Sequence, residues 1–239
     1  MSNAVSLDPA SVQVAADPGL VQVMISFIQD GGFFMYPILV VLAIGLGIVI
    51  ERVLYLQITK NRNKKVWDQV YPLISKGQFR QALDSVKDSN TGIGRVVAYG
   101  LERAKISRRH DDIELAMEEG LMEVLPRLET RTSYISTLAN IATLLGLLGT
   151  IIGLIQAFTA VANADPAEKA DLLSASISVA MNTTAFGLIA AIPLILSFSF
   201  ISSMTNKVVD SMEMASVKFL NAFRQVVAQQ EQRNNSDGQ

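Results

Sequence analysis

The sequence predicts an all-α integral membrane protein with three transmembrane helices and a cytoplasmic helical bundle. Half of its 239 residues are apolar, 18% are charged and none is Cys, a composition typical of membrane proteins. Three runs of the chain contain no charged residue, at 31–50, 132–164 and 172–206. A helix needs about 20 apolar residues to cross the hydrocarbon layer. Each run is therefore long enough for one crossing.

The basic residues are distributed unevenly around these runs. All 20 Lys and Arg residues except Lys169 lie in 51–131 or in 207–239, and none precedes Arg52. Loops rich in Lys and Arg stay in the cytoplasm. We therefore expect a multi-pass protein with its N-terminus outside the membrane and its C-terminus inside.

These patterns divide the chain into seven segments. In order they are an extracytoplasmic segment with an amphipathic helix (1–30), the first transmembrane helix (31–56), a cytoplasmic helical region (57–131), the second transmembrane helix with a cytoplasmic extension (132–164), an extracytoplasmic loop (165–171), the third transmembrane helix (172–206), and a cytoplasmic helix and tail (207–239).

The first segment has no basic start and no early apolar core, so we expect no cleavable signal peptide. Asp17-Pro18 is a helix start, and the apolar face that follows would lie on the outer membrane surface or pack as a short helix. In the first span, Pro37 falls in an early turn, where a missing N–H is tolerated. Large aliphatic residues follow without a polar stripe, which favours contact with lipid. The span ends at Glu51-Arg52.

The cytoplasmic region has apolar residues at helical spacing, which predicts amphipathic helices in a bundle. Helices are indicated by Val66–Ile74, by Ala82, Leu83 and Val86, and by Ile113–Leu125. Acidic residues cluster beside His110, but their spacing is typical of a solvated helix face and not of a metal site. Phosphate-binding loops, nucleophile elbows and metal-ligand spacings are absent from the sequence. We therefore expect no enzyme activity, no cofactor, no metal and no nucleic-acid partner.

The second and third spans carry stripes of small and hydroxyl residues. The stripes are Thr143, Gly146, Thr150, Gly153 and Ala157, and then Ala180, Thr184, Gly187 and Ala191. Small residues let membrane helices approach closely, and hydroxyls bond across the contact. These helices are predicted to face protein or a pore.

No Asp, Glu, Lys, Arg or His lies within the three runs, although proton relays require titratable groups. The chain would then supply only a polar lining for a group brought by another chain. The candidates for that lining are Thr143, Thr150, Asn182, Thr183 and Thr184, with Gln156 and Thr159 near the outer boundary. The same hydroxyls would serve in packing if they bond to their own i−4 carbonyls. The candidates for helix packing are Gly146, Gly149, Gly153, Gly187 and Pro193, with Pro193 a kink or a hinge.

Several of these segments resemble the ExbB, TolQ and MotA superfamily of ion-driven motor subunits, and its three-span ExbB and TolQ branch in particular. The similar motifs are GGFFMYP, the Glu-Arg end of the first span, LLGLLGTIIGLIQAF and ISVAMNTTAFGLIAAIP. The chain departs from the branch at two positions. Val179 stands where relatives usually carry Glu, and Thr143 stands where they usually carry Pro.

The resemblance implies a bacterial inner-membrane homopentamer, among membrane lipids, around a dimer of a single-span ExbD- or TolR-like partner. An Asp of that partner would carry the ion, threonines at Thr150 and Thr184 would line its path, and the work would pass to a TonB-like envelope protein. Protons are favoured over sodium. The alternatives are a MotA-like motility stator, whose branch has four spans, and a membrane oligomer that conducts nothing.

Overall fold

The computed structural model describes residues 31–236. The predicted amphipathic helix of residues 1–30 and the last residues of the tail lie outside that range. Within it the chain forms six helices and no strand: α1 Met35–Ser75, α2 Phe79–Val86, α3 Gly92–Ile106, α4 His110–Glu129, α5 Thr132–Ala162 and α6 Lys169–Ser236. Three of them, α1, α5 and α6, contain stretches long and apolar enough to cross a membrane. The predicted fold class is confirmed.

Helices α1 and α6 run well beyond the apolar stretches that predicted them. α1 continues without a break through the Val66–Ile74 pattern to Ser75, and α6 continues through Pro193 to Ser236. The sequence pattern instead suggested separate amphipathic helices after the first and third spans. The change from apolar to charged residues marks the edge of the membrane, but it contains no Gly or Pro that would end a helix.

Local signals explain where the shorter helices begin and end. Gly77 has φ of 74° and follows α1, where its N–H donates to the carbonyl of Ile74 at 2.9 Å, a helix-ending turn that favours Gly. Thr91 caps α3, because its hydroxyl accepts from the N–H of Gly94 at 3.1 Å. α3 is an additional helix that was not among those predicted from the sequence.

The described residues form two compact units. The first contains residues 31–38 and 144–187, and the second contains 39–143 and 188–236. In the second unit, α3 packs against α4 and α2 packs against α3. Predicted core residues Ala82, Leu83, Val86, Ile113 and Met117 are buried. The C-terminal part of α6 joins this core through Phe223, whose ring lies 5.1 Å from that of Phe79.

Candidate functional site

In the first unit, α5 and α6 approach each other through small residues. A methyl group on Gly146 would lie 3.2 Å from Cα of Gly187 and 3.3 Å from Cα of Thr184, and one on Gly153 would lie 2.8 Å from Cβ of Ala180. Side-chain movement cannot relieve contacts with backbone atoms. The two helices therefore need glycine at position 146 for this spacing. Gly149 lies at the same contact, against the side chain of Thr183.

Thr150 and Thr184 bring their hydroxyl groups together across this contact. The two Oγ1 atoms are hydrogen-bonded to each other. The carbonyl oxygen of Gly146 lies 3.0 Å from Oγ1 of Thr184 and 3.2 Å from Oγ1 of Thr150. Both threonines are half-buried in the single chain, so this polar group is accessible from one side.

The number of hydroxyl protons determines which donors and acceptors of the Thr150–Thr184 pair remain unused. Each hydroxyl has one proton and two acceptor lone pairs. If one threonine donates to the Gly146 carbonyl, the other donates to the first threonine, and both protons are used. Unused lone pairs then remain on the two oxygens. The pair can accept a hydrogen bond or act as a ligand to a cation without breaking the helix contact.

Thr183 and Asn182 differ from the hydroxyl pair. Thr183 is 2% exposed, and its hydroxyl donates to the carbonyl of Gly31 at 2.7 Å, with that of Val179 also within reach at 2.9 Å. Its hydroxyl is therefore used inside the first unit. Asn182 is half-buried and has no hydrogen-bond partner among the described residues. An amide in an apolar layer needs a partner, so Asn182 favours contact with water or with another chain.

The remaining predicted residues lie elsewhere. Thr143 is half-buried and donates to the carbonyl of Ala139, four residues before it, at 3.2 Å. Pro193 is an exposed residue within α6. Val179, at the position where relatives usually carry Glu, is 37% exposed and adjoins Gly32. Among the described residues, no group of three or more acidic, His or Cys side chains could hold a metal ion.

The second unit contains a polar contact that the sequence pattern did not reveal. Arg52 is 3% exposed and donates to the carbonyl of Leu128 near the end of α4. Its neighbour Glu51 pairs with Arg131 at 2.7 Å. From the sequence, Glu51 and Arg52 were identified only as the end of the first span. Their being adjacent and opposite at the membrane edge was the signal available.

Comparison with known proteins gives a family match over the region that contains Thr150 and Thr184. The model of the MotA/TolQ/ExbB proton channel family matches residues 88–214, which include both threonines of the hydroxyl pair. A homolog of the biopolymer transport protein ExbB from Methanothermobacter thermautotrophicus is 27% identical over 80% of this chain and 67% of its own length.

Two further relatives match shorter stretches. The Tol-Pal system protein TolQ of Haemophilus influenzae is 27% identical over 54% of this chain and 60% of its own length. An ExbB-like biopolymer transport protein of Synechocystis is 26% identical over 70% of this chain and 79% of its own length. The family is described as a proton channel family, and the two ExbB relatives as biopolymer transport proteins, rather than as enzymes. Since the family model covers more than half of the sequence, the chain belongs to the MotA/TolQ/ExbB proton channel family.

Proposed function

We propose that this protein is the ion-conducting stator subunit of an ExbB/TolQ-like motor in a bacterial inner membrane. With an ExbD/TolR-like partner it would convert the ion motive force into mechanical work for TonB-dependent or related envelope transport. Its N-terminus would lie in the periplasm and its C-terminus in the cytoplasm. The observation that carries the proposal is the hydroxyl pair of Thr150 and Thr184, set in spans that hold no ionisable residue.

The absence of titratable groups from the three uncharged runs defines what the partner must bring. A proton carried across a membrane needs a group that binds and releases it, and threonine hydroxyls do not gain or lose a proton near neutral pH. An acid on the partner would supply that group, and the spare lone pairs of the hydroxyl pair would accept a hydrogen bond from its protonated form. Oxygen atoms are also suitable ligands for a hard cation. Sodium is therefore the alternative to the favoured proton.

Exposed apolar residues and Asn182 support assembly into an oligomer. Ile151 and Phe158 on α5 are 57% and 65% exposed, and Leu188 and Ile192 on α6 are 46% and 56% exposed. Such faces would meet lipid or further copies of the chain. A homopentamer around a partner dimer, as the family resemblance implies, would cover part of them and give Asn182 a polar neighbour.

A non-conducting membrane oligomer is the second candidate function. It is favoured by the fact that the Gly146 carbonyl lies within hydrogen-bond distance of both hydroxyls inside one chain, so the pair can be satisfied by packing alone. A MotA-like motility stator is less well supported, because the described residues contain three helices able to span a membrane and that branch has four.

The two candidates differ in what happens when a hydroxyl is removed. The chain would be co-expressed with its single-span partner, and ion-dependent activity would be measured in Thr150→Ala and Thr184→Ala. We expect each substitution to lower activity about two- to tenfold, because the hydrogen bond accepted from the neutral, protonated acid contributes about 0.5–1.5 kcal/mol. Thr150→Ser, which keeps the hydroxyl, should retain activity.

Thr137→Ala is the matched control. Thr137 is exposed on the same helix, and its hydroxyl donates to the carbonyl of Ser133 at 3.2 Å, so its loss should leave activity unchanged. Normal activity in both Thr150→Ala and Thr184→Ala, with the complex intact, would assign the pair to packing and reject conduction along it.

A further inference from the structure

A cavity of about 260 Å³ lies in the second unit, among α1, α3 and α4. It is smaller than the pockets of about 300 Å³ and above that hold drug-sized ligands, so its volume suits a small ion or a headgroup. Its lining comprises Tyr55, Thr59, Arg62, Asn63, Asn90, Thr91, Gly92, Arg95, Val124, Arg127 and Leu128. Donor groups predominate in this set, and none of these side chains is acidic.

Three arginines give the cavity an excess of positive charge. Glu123 pairs with Arg95, and it also pairs with Arg127 at 3.7 Å. One carboxylate thus serves two guanidinium groups. Arg62 is exposed and has no ion pair within the part of the chain that the structure describes. The cavity therefore keeps guanidinium charge that its own acidic neighbour does not neutralise.

The N-terminus of α3 opens into the same cavity, next to an amide without a partner. Thr91 and Gly92 line the cavity where α3 begins, and a helix N-terminus favours negative charge. Asn63 is 2% exposed, and its Oδ1 accepts from the N–H of Ile93 at 3.4 Å. This bond uses Oδ1, so Nδ2 is the amide atom that still needs a partner. Nδ2 is buried and has no acceptor among the described residues.

We expect one end of the cavity, at Tyr55, to lie at the depth of lipid headgroups. Tyr55 follows Ile50, the last residue of the first uncharged run, by five positions. That separation is about 7.5 Å along a helix. The polar layer on each side of the hydrocarbon is about 5–8 Å thick. Tyr is enriched at this boundary. Arg62 lies about 10.5 Å further along the helix, so a headgroup phosphate would bind at the Tyr55 end of the cavity and the long Arg62 side chain would extend toward it.

We propose that this cavity binds a phosphate-type oxyanion, held by Arg62, Arg95 and Arg127 at the N-terminus of α3. Guanidinium groups bind phosphate oxygens in pairs of parallel hydrogen bonds. An anion oxygen would also provide the acceptor that Nδ2 of Asn63 lacks. The phosphate belongs either to the headgroup of an anionic phospholipid or to a free phosphate ion, and both sources present the same chemistry.

Two measurements on the full-length protein distinguish these sources. The thermal unfolding midpoint in detergent is followed with sodium phosphate, against sodium chloride at equal ionic strength. Retention of phosphatidylglycerol against phosphatidylcholine is followed by native mass spectrometry. Stabilisation by phosphate indicates that the free ion binds, and selective retention of phosphatidylglycerol without it indicates the lipid headgroup. Neither effect in the wild-type protein overturns the proposal.

Two substitutions test the site itself. Arg62→Gln removes the charge that has no acidic partner, and Asn63→Asp keeps the acceptor for the N–H of Ile93 but places a carboxylate beside the arginines. Each should weaken binding by about tenfold or more, the effect of losing one charge-assisted hydrogen bond. Asn63→Asp should not lower stability in the absence of phosphate, since its carboxylate replaces the missing anion.

Arg108→Gln is the control, because Arg108 is an exposed basic residue of the same region that does not line the cavity. It should bind as the wild type does. Equal loss in Arg108→Gln and Arg62→Gln would show that binding reflects only overall charge, and unchanged binding in Arg62→Gln and Asn63→Asp would remove the site. Either result overturns the proposal.

Discussion

Arg52 shows how one charged side chain can be accommodated at the edge of a membrane span. Its guanidinium donates to the carbonyl of Leu128 and lies 4.9 Å from the centre of the Tyr55 ring, while its Nε has no partner among the described residues. The last carbonyls of a helix have no partner within the helix and attract cations. Arg52 therefore stabilises the end of α4 from a position on α1.

We expect Arg52→Ala to lower the free energy of unfolding by about 1–3 kcal/mol, because a buried carbonyl loses its donor. Thermal unfolding in detergent would measure the change. Arg131→Ala is the control: it removes the pair with Glu51, whose two side chains are 56% and 48% exposed, and exposed pairs contribute about 0–1 kcal/mol. Equal effects of the two substitutions would contradict the role assigned to Arg52.

Thr183 and Thr150 carry the same functional group with different surroundings. Thr183→Val keeps the shape of the side chain but removes the bond to the Gly31 carbonyl, so we expect a loss of about 1 kcal/mol in stability. Ion-dependent activity of the complex should be unchanged, because this hydroxyl is buried within the first unit. A large loss of activity in a stably folded Thr183→Val would instead place Thr183 on the ion path.

At the scale of helices, the contact between α5 and α6 depends on glycine, because the absence of a side chain lets the two backbones approach closely. Gly146 approaches backbone atoms of Thr184 and Gly187, whereas Gly47 on α1 has open space around it. The same residue type thus has opposite roles in two spans. The contact also sets the distance between Thr150 and Thr184.

This contrast predicts the effects of adding one methyl group. Gly146→Ala should force α5 and α6 apart and lower the free energy of unfolding by about 1–3 kcal/mol, the cost of overpacking a core. Gly47→Ala should be neutral or stabilise by up to about 1 kcal/mol, because Ala favours helix more than Gly does. Thermal unfolding of both variants in one detergent would test this, and a Gly146→Ala protein as stable as Gly47→Ala would contradict the close contact.

For the whole molecule, the sequence predicts the number and position of the apolar spans better than it predicts the residues at which helices end. Charge-free runs and the basic loops indicated three spans, and glycine and threonine spacing singled out residues that do lie between α5 and α6. The continuation of α1 to Ser75 was not predictable from hydropathy, because a helix does not end where its solvent changes. α3 was missed although its buried Ile93, Val97 and Leu101 recur every four residues, because three glycines lie among them and glycine disfavours helix.

Contacts between residues distant in sequence also could not be predicted from residue spacing. Thr183 looked like its neighbour Thr184, and only the position of the Gly31 carbonyl distinguishes them. The arginine cavity joins three helices whose basic residues appear scattered in the sequence. Such assignments depend on which side chains the folded chain brings together.

Proton flux into liposomes tests the central claim most directly. The purified protein would be reconstituted alone and with its single-span partner, and acidification of the interior would be followed with a pH-sensitive dye under an imposed membrane potential. We predict no flux from this protein alone, flux from the complex, and loss of that flux when both Thr150 and Thr184 are replaced by Val. Flux from this protein alone, or undiminished flux in the double variant, would contradict a hydroxyl-lined path around an acid supplied by another chain.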